Sequence, residues 1–251
     1  MSPSVVDRLR AAGCVFAEDE ARLLTSAASS NEGLEALVAR RVAGEPLEYV
    51  LGWVEFDGLK LAIEPGVFVP RRRTELLARS AASVVESGDV LVDLCCGCGA
   101  VAAAVAAAAA EVAVHAVDVD ETAVACARRN VPGDVYLGDL YVPLPAELFG
   151  RVAVVTGNAP YVPTEALSTM PIEARDYEPR IALDGGTDGL DVLRRIVVGA
   201  PAWLRPGGWL FVESSRAQAR LLVSQMTAVG FEATVRTDQE IGGTVVVGRF
   251  G

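Results

Sequence analysis

From residue 90 onward the chain alternates short, β-rich apolar runs with helical stretches, and this rhythm limits the folds open to it. Val90 to Leu94 reads as a strand, followed by a Gly-containing loop and an Ala-rich helix from about Ala100. Val112 to Val117, Val135 to Leu137 and Val152 to Thr156 read as further strands, with a helix at Glu121 to Asn130. A helix near Leu190 to Leu204 is closed by Pro206-Gly207-Gly208, Trp209 to Val212 is the fifth strand, and a helix from about Gln218 to Val229 follows. Strands that alternate with helices predict a parallel sheet covered on both faces. The ending breaks the rhythm. Phe231 to Arg236 and Thr244 to Phe250 are two strands joined by a short loop, so an antiparallel pair is expected at one edge of the sheet.

The first part of the chain has a different character. Residues 1 to about 45 read as small helices, broken by a polar stretch from Thr25 to Gly33 and ended by Gly44 and Pro46. Tyr49 to Phe56 and Leu59 to Ile63 are apolar runs on either side of Asp57-Gly58, a strong β-hairpin signal because that turn needs positive φ. Val67-Phe68-Val69-Pro70-Arg71-Arg72-Arg73 then leads to Thr74 as N-cap and Glu75 in the first turn of a helix that runs to about Glu86.

At 251 residues the chain has room for one large α/β domain and a small appendage, and 51% hydrophobic residues supply its core. A net charge of −11 argues against a basic groove for nucleic acid. The five Cys are an odd set with three in one loop, unlike a secreted disulfide framework. Asp7, Arg8 and Arg10 interrupt any signal-peptide core. The longest uncharged apolar run, Val101 to Ala110, is about half of what a bilayer needs. The expectation is a soluble, cytoplasmic protein with no membrane partner.

Two stretches carry chemistry. The run Val152 to Thr156 ends in Gly157-Asn158-Ala159-Pro160-Tyr161, and parallel sheets bind ligands just beyond the carboxyl ends of their strands. An Asn there, backed by a proline-fixed turn and an aromatic ring, can hold a planar amide or amino group; the competing reading is an ordinary strand-to-loop turn. The second stretch is Val92-Asp93-Leu94-Cys95-Cys96-Gly97-Cys98-Gly99-Ala100 at the first strand-loop-helix. It is not the dinucleotide fingerprint, since Ala102 stands where a third Gly is needed. Asp118, at the end of the second strand, is placed to take a ribose diol, and Asp139 with Leu140 and Tyr141 suits the surroundings of an adenine. Acidic groups, with no Lys or Arg in the Gly loop, favour an adenosine carrying a sulfonium over one carrying phosphates. The Cys95-Cys96-x-Cys98 spacing is too tight for paired zinc knuckles and His115 lies inside a strand, so no metal is expected.

With both motifs in hand, the chain from about residue 35 resembles the protein-(glutamine-N5) methyltransferases, the HemK-type family that includes release-factor methyltransferases. The resemblance rests on Ala43-Gly44-Glu45-Pro46-Leu47-Glu48-Tyr49-Val50-Leu51-Gly52, Phe68-Val69-Pro70-Arg71…Thr74-Glu75, Val92-Asp93-Leu94…Gly97-Cys98-Gly99, Ala116-Val117-Asp118, Gly138-Asp139 and Asn158-Ala159-Pro160-Tyr161. It implies a class I, Rossmann-like, S-adenosylmethionine-dependent methyltransferase domain over 74–251, seven-stranded with an antiparallel last strand. Residues 1–73 would be a helical substrate-recognition region with a β-hairpin linker. It further implies that Asp93, Cys95, Cys96, Gly97, Cys98, Gly99, Asp118, Asp139, Leu140 and Asn158 surround the cofactor. Asn158, Ala159, Pro160, Tyr161, Phe68 and Arg71 would hold a glutamine of a release factor-like protein. The Asn158 oxygen and the Ala159 carbonyl would take the two amide N–H bonds, with Tyr161 as a packing wall and the donor methyl in line about 3 Å away.

Three departures from the family pattern stand out. Ala159 replaces the usual first Pro of Asn-Pro-Pro-Tyr, Cys95 replaces the usual first Gly of the cofactor loop, and the region before Ala43 is short by a helical hairpin. Two other functions stay open. Adenine-N6 DNA or RNA methyltransferases use a similar Asn/Asp-Pro-Pro-Tyr, and Arg71-Arg72-Arg73 would serve such a substrate. A non-catalytic cofactor-binding module would account for Ala159 and the Cys loop. The aperiodic segment Pro163 to Asp188 is expected to cross the mouth of the site, with Glu173, Arg175, Tyr177 and Arg180 on or near the substrate path, or else to be a surface connection.

Overall fold

The computed structural model describes residues 3–251. Its first four helices are α1 (Val5–Ala11), α2 (Ala17–Ala27), α3 (Asn31–Val42) and α4 (Leu47–Leu51). Ser4 and Asp7 form a capping box that satisfies two orphan N–H groups at the start of α1. Leu9, Ala17, Leu24, Val38 and Val50 close a small apolar core among these helices. Beside that core Arg41 reaches Glu20 at 2.6 Å, both side chains about nine-tenths buried, and also Glu173 at 2.6 Å.

The next elements correct two expectations. Tyr49 to Leu51 is helical rather than extended: Pro46 sets the backbone for a first turn, and Gly52 ends α4 in the left-handed region. The hairpin keeps only β1 (Trp53–Phe56) and β2 (Leu59–Ala62), joined through left-handed Asp57 and Gly58 as their sequence requires. Thr74 does not cap a helix. It ends a 3-10 turn, Arg72–Thr74, in helical conformation, and its side chain makes no cap hydrogen bond to α5 (Glu75–Ala82). That helix stops short of Glu86 because the chain tightens there, the amides of Val84 and Val85 both bonding back to the Ala81 carbonyl.

The alternating part follows as expected, with boundaries shifted by a few residues. It comprises β3 (Val90–Leu94), α6 (Ala100–Ala108), β4 (Ala113–Asp118), α7 (Glu121–Ala127), β5 (Asp134–Leu137) and β6 (Val152–Gly157). After the short helix α8 (Ile172–Tyr177) come α9 (Asp191–Trp203), β7 (Leu204–Glu213), α10 (Arg216–Ala228), β8 (Phe231–Asp238) and β9 (Gly243–Phe250). Helix α9 already ends at Trp203. Residues 205 to 208 bulge out within β7, whose Leu204 pairs with Val152 and Trp209 with Val154.

The seven strands run in the order β5-β4-β3-β6-β7-β9-β8. All neighbours are parallel except β9, which inserts between β7 and β8 and is antiparallel to both. This is the class I methyltransferase arrangement. The chain leaves β3 towards β4 on one side and returns to β6 on the other, so a crevice opens beyond the carboxyl ends of these strands. Successive strand residues face opposite sides. Leu91 therefore packs with Val101 and Val105 of α6, while Val92 and Leu94 pack with Leu193 and Ile196 of α9. Burying each such side chain stabilises the fold by about 1.5–3 kcal/mol. Among the described residues no helix is long and apolar enough to cross a membrane.

Candidate active site

The crevice is a cavity of about 420 Å³ with mostly apolar walls. Of the residues singled out in the sequence, Phe68, Asp93, Cys95, Cys96, Gly97, Cys98, Asp118, Asp139, Leu140, Asn158 and Pro160 line it. Arg71, Gly99, Ala159 and Tyr161 lie behind the walls, each with a different task.

The floor is the loop between β3 and α6. Cys95 turns out of β3 at φ +55, Gly97 at +56 and Gly99 at +81. A side chain at Gly97 would meet nothing within 4 Å, so the glycine leaves its backbone open to the cavity. At Gly99 an added Cβ would stand 2.3 Å from Val131 Cγ2, which makes this glycine a packing requirement of α6. The Cys95, Cys96 and Cys98 thiols are all pushed upward by burial, with Cys98 at about 12. They remain protonated, poor ligands and poor nucleophiles. Among the described residues no group of His, Cys, Asp and Glu is arranged to hold a metal.

Asn130, after α7, ties this floor to the hairpin. Its Oδ1 accepts from the Ala62 amide at 2.8 Å, and its Nδ2 donates to the carbonyls of Ala62 (2.9 Å) and Cys98 (2.8 Å). Nothing in the local sequence announces this bridge, because its partners are 68 and 32 residues away.

Two carboxylates stand at the strand ends. Asp93 is 1% exposed; it accepts from Thr156 Oγ1 at 2.7 Å and from the Ala102 amide at 3.2 Å, and burial lifts it to about 7. Both oxygens thus brace β3 against β6 and α6. Asp118 accepts from the amides of Gly97 (2.8 Å) and Asp120 (3.0 Å), and burial raises its pKa as well. Each of its oxygens keeps a lone pair, enough for a diol. Across the cavity Leu140 takes φ +50, a strained conformation for a branched residue. Asp139 beside it is half-exposed and paired with Arg195.

The opposite wall begins with Asn158 at the end of β6. Its Nδ2 donates to Thr74 Oγ1 at 3.4 Å, and Thr74 itself is 1% exposed. Ala159 is 1% exposed and packs into the core on the α9 side of the sheet. The Tyr161 hydroxyl lies 3.0 Å from Glu213 Oε1 and 3.0 Å from Arg73 Nε, and Arg73 Nε also reaches Glu213 at 3.1 Å. Burial raises the Tyr161 hydroxyl well above its ordinary range, so it stays protonated. Gln218 steadies the same loop by donating to the carbonyls of Tyr161 and Asp188, both at 3.0 Å.

The segment from Pro163 to Asp188 does reach the mouth, through Pro179, Ile181 and Ala182. The anticipated side chains play other parts. Glu173 pairs with Arg41, the Tyr177 hydroxyl donates to the Ala43 carbonyl at 3.1 Å, and Arg175 and Arg180 pair with Asp176 and Asp184. The residue that matters is Glu178, whose side chain is 1% exposed: it accepts from the Val69 amide (3.1 Å) and from Arg71 (2.6 Å). Arg71 in turn lies over the Phe68 ring, 5.0 Å from its centre. The contacts of Thr74, Arg73, Glu178 and Glu213 escaped the sequence reading because each acts through a partner far along the chain.

The chain was compared with known proteins. Residues 58–162 match the methyltransferase small domain family. A release factor glutamine methyltransferase from Geobacter sulfurreducens is 39% identical over 222 residues, 86% of this chain and 77% of that protein. One from Streptomyces coelicolor is 42% identical over 189 residues, 72% of this chain and 67% of that protein. Among solved structures, a methyltransferase from Pyrococcus furiosus superposes with a TM-score of 0.58 at 18% identity, covering 86% of this chain and 98% of its own, a likeness of fold.

Proposed function

The chain belongs to the release factor glutamine methyltransferase family, and from that premise we propose how its cavity does the work of the family. It is an S-adenosylmethionine-dependent methyltransferase that places a methyl group on the side-chain amide nitrogen of a glutamine; its protein substrate is a peptide chain release factor. The walls suit the cofactor. The Asp118 carboxylate has lone pairs free for the ribose hydroxyls, Gly97 leaves backbone open beside it, and Leu140 and Asp139 stand where the adenine would lie. Asp93, Cys95, Cys96 and Cys98 complete that side, and Gly99 supports it from below.

When bound, S-adenosylmethionine supplies an electrophilic methyl on a sulfonium. The positive charge passes to the substrate amide with the methyl and leaves with one of its N–H protons; an N-methylated amide nitrogen is acidic enough for water to take that proton, so no strong base is demanded. The burden falls on orientation. An amide nitrogen is a poor nucleophile because its lone pair is delocalised. Asn158 Oδ1 and the Ala159 carbonyl accept its two N–H bonds and aim the nitrogen; Pro160 fixes the turn and Tyr161 backs it. Positioning of this kind is worth about 7–11 kcal/mol of barrier at best. Tyr161 is no acid or base here, since its hydroxyl is already shared between Glu213 and Arg73. Phe68 forms the outer wall, and Arg71 holds that ring rather than touching the amide. Residues 1–73 form the recognition region and 74–251 the transfer domain. The missing Pro at 159 costs the loop rigidity worth roughly 0.4–1 kcal/mol, but Ala159 keeps the carbonyl.

The observation that carries this reading is Asn158, which shares a cavity with Asp118 and has its amino end already engaged. A nucleic-acid substrate draws less support. Arg71 and Arg73 are tied to Glu178 and Glu213, and the exposed Arg72 faces Glu240, so the three arginines make no basic patch. Asn158→Ala tests the reading: transfer to an intact bacterial release factor should be abolished, with cofactor affinity by calorimetry changed only a few-fold. A variant with full turnover overturns the role given to Asn158.

A further inference from the structure

One short turn grips the substrate wall at three points. Arg71 pairs with Glu178, Arg73 bonds Tyr161 and Glu213, and Thr74 takes the amino end of Asn158. The backbone holds the turn shut, the Thr74 amide donating to the Arg71 carbonyl at 2.9 Å. These contacts bring residues 84 to 140 positions apart against one another.

The Thr74 contact bears on a problem that any asparagine in this role must solve. A primary amide carries an acceptor oxygen at one end and a donor NH2 at the other, and the two ends are nearly the same size. Only the oxygen can receive an N–H from a substrate amide. With the group rotated by half a turn, two NH2 groups would face each other, and the substrate nitrogen would be pushed off its line. Packing cannot discriminate between the two states, because the shapes match, and the Thr74 hydroxyl, which can donate as well as accept, holds the far end of the amide in either; with that end held, the N–H groups of the substrate select the oxygen at the other end. Thr74 is 1% exposed, lines the cavity and meets Nδ2, the end that must be kept away from the substrate.

We propose that Thr74 is a positioning residue for methyl transfer, its buried hydroxyl anchoring the far end of the Asn158 amide so that the other end is held towards the substrate. This rests on the reading of Asn158 as the amide holder. It also explains why Thr74, at the start of a helix, leaves the helix end uncapped: its oxygen is engaged elsewhere. Arg71 and Arg73 on the same turn keep Thr74 in register with the loop it controls.

Thr74→Val keeps the shape and removes the hydroxyl; Thr74→Ser keeps the hydroxyl. With intact bacterial release factor and methyl-labelled S-adenosylmethionine, Thr74→Val should lower kcat by about 10- to 100-fold, the scale of a small misplacement of a reacting group. KM for the release factor and cofactor affinity by calorimetry should stay within about threefold, because Thr74 acts on orientation and not on docking. Thr74→Ser should restore most of kcat. Equal losses of kcat in the Val and Ser variants would show that the hydroxyl is not what matters and would overturn the proposal, as would wild-type turnover in Thr74→Val. Asn158→Ala, assayed alongside, separates the two claims. If it abolishes transfer while Thr74→Val is unchanged, only the role of Thr74 falls; if it keeps full turnover, the amide holder itself is misassigned.

Discussion

Glycine at position 95 should give a more stable protein than alanine, the reverse of the order at an ordinary loop position. Cys95 is held at φ +55 by the loop that floors the cavity. For a residue with a Cβ that conformation costs roughly 1–2 kcal/mol, a cost glycine does not carry. Against this, alanine restricts the unfolded chain and is favoured elsewhere by about 0.4–1 kcal/mol. Both replacements remove the sulfur, so the lost packing nearly cancels between them. The difference left is about 1 kcal/mol in favour of glycine, or roughly 2–4 °C in Tm for a chain of this size. Thermal and urea melts of Cys95→Gly and Cys95→Ala without cofactor read it directly. Cofactor affinity should be similar in both, since the backbone path is the same. An alanine variant as stable as the glycine one, or more so, would refute the reasoning: position 95 would not then be left-handed.

Three further outcomes follow from the same structure. Asn130→Ala removes three hydrogen bonds that join the hairpin to the cavity floor; at about 1 kcal/mol each it should cost about 3 kcal/mol in urea denaturation and weaken cofactor binding, and a loss under about 1 kcal/mol would contradict the bridge. Burial lifts Asp93 to about 7, so the folded chain holds this proton more tightly than the unfolded one. Its contribution to stability is therefore complete below about pH 4 and lost as pH rises through about 7; the urea midpoint of the wild type should fall relative to Asp93→Asn over that window, and a constant gap between them would refute the assignment. Arg41→Ala leaves Glu20 buried and unpaired and frees Glu173, so it should destabilise the protein by about 3 kcal/mol in thermal melts, whereas a near-neutral variant would show that the pair is solvated.

What the sequence disclosed and what it withheld divide along one physical line. The Asp57-Gly58 turn, the alternation from β3 to α10 and the paired final strands are set by neighbours in the chain, through turn chemistry and periodicity, and the structure has them. The glycine-bearing loop of the floor and Asn158 at a strand end were legible for the same reason, though not the left-handed conformations that the loop adopts. Helix α4 was misread because its apolar residues suit either a strand or a buried helix, and Pro46 with Gly52 decides only once the tertiary core accepts the turn. Thr74 looked like a cap because a Thr-Glu pair is a good helix start; its partner, Asn158, lies 84 residues on. Glu178 sits in a stretch with no periodicity, and its bonds to Val69 and Arg71 are visible only after the segment has folded back over the mouth.

The most direct test of the account is where the methyl group goes. Intact bacterial release factor and duplex DNA should each be incubated with the protein and methyl-labelled S-adenosylmethionine, and the products mapped by mass spectrometry. The account predicts one labelled methyl on the side-chain amide of a single glutamine of the release factor and none on DNA. Label on DNA alone, or on a protein nitrogen other than a glutamine amide, would contradict it.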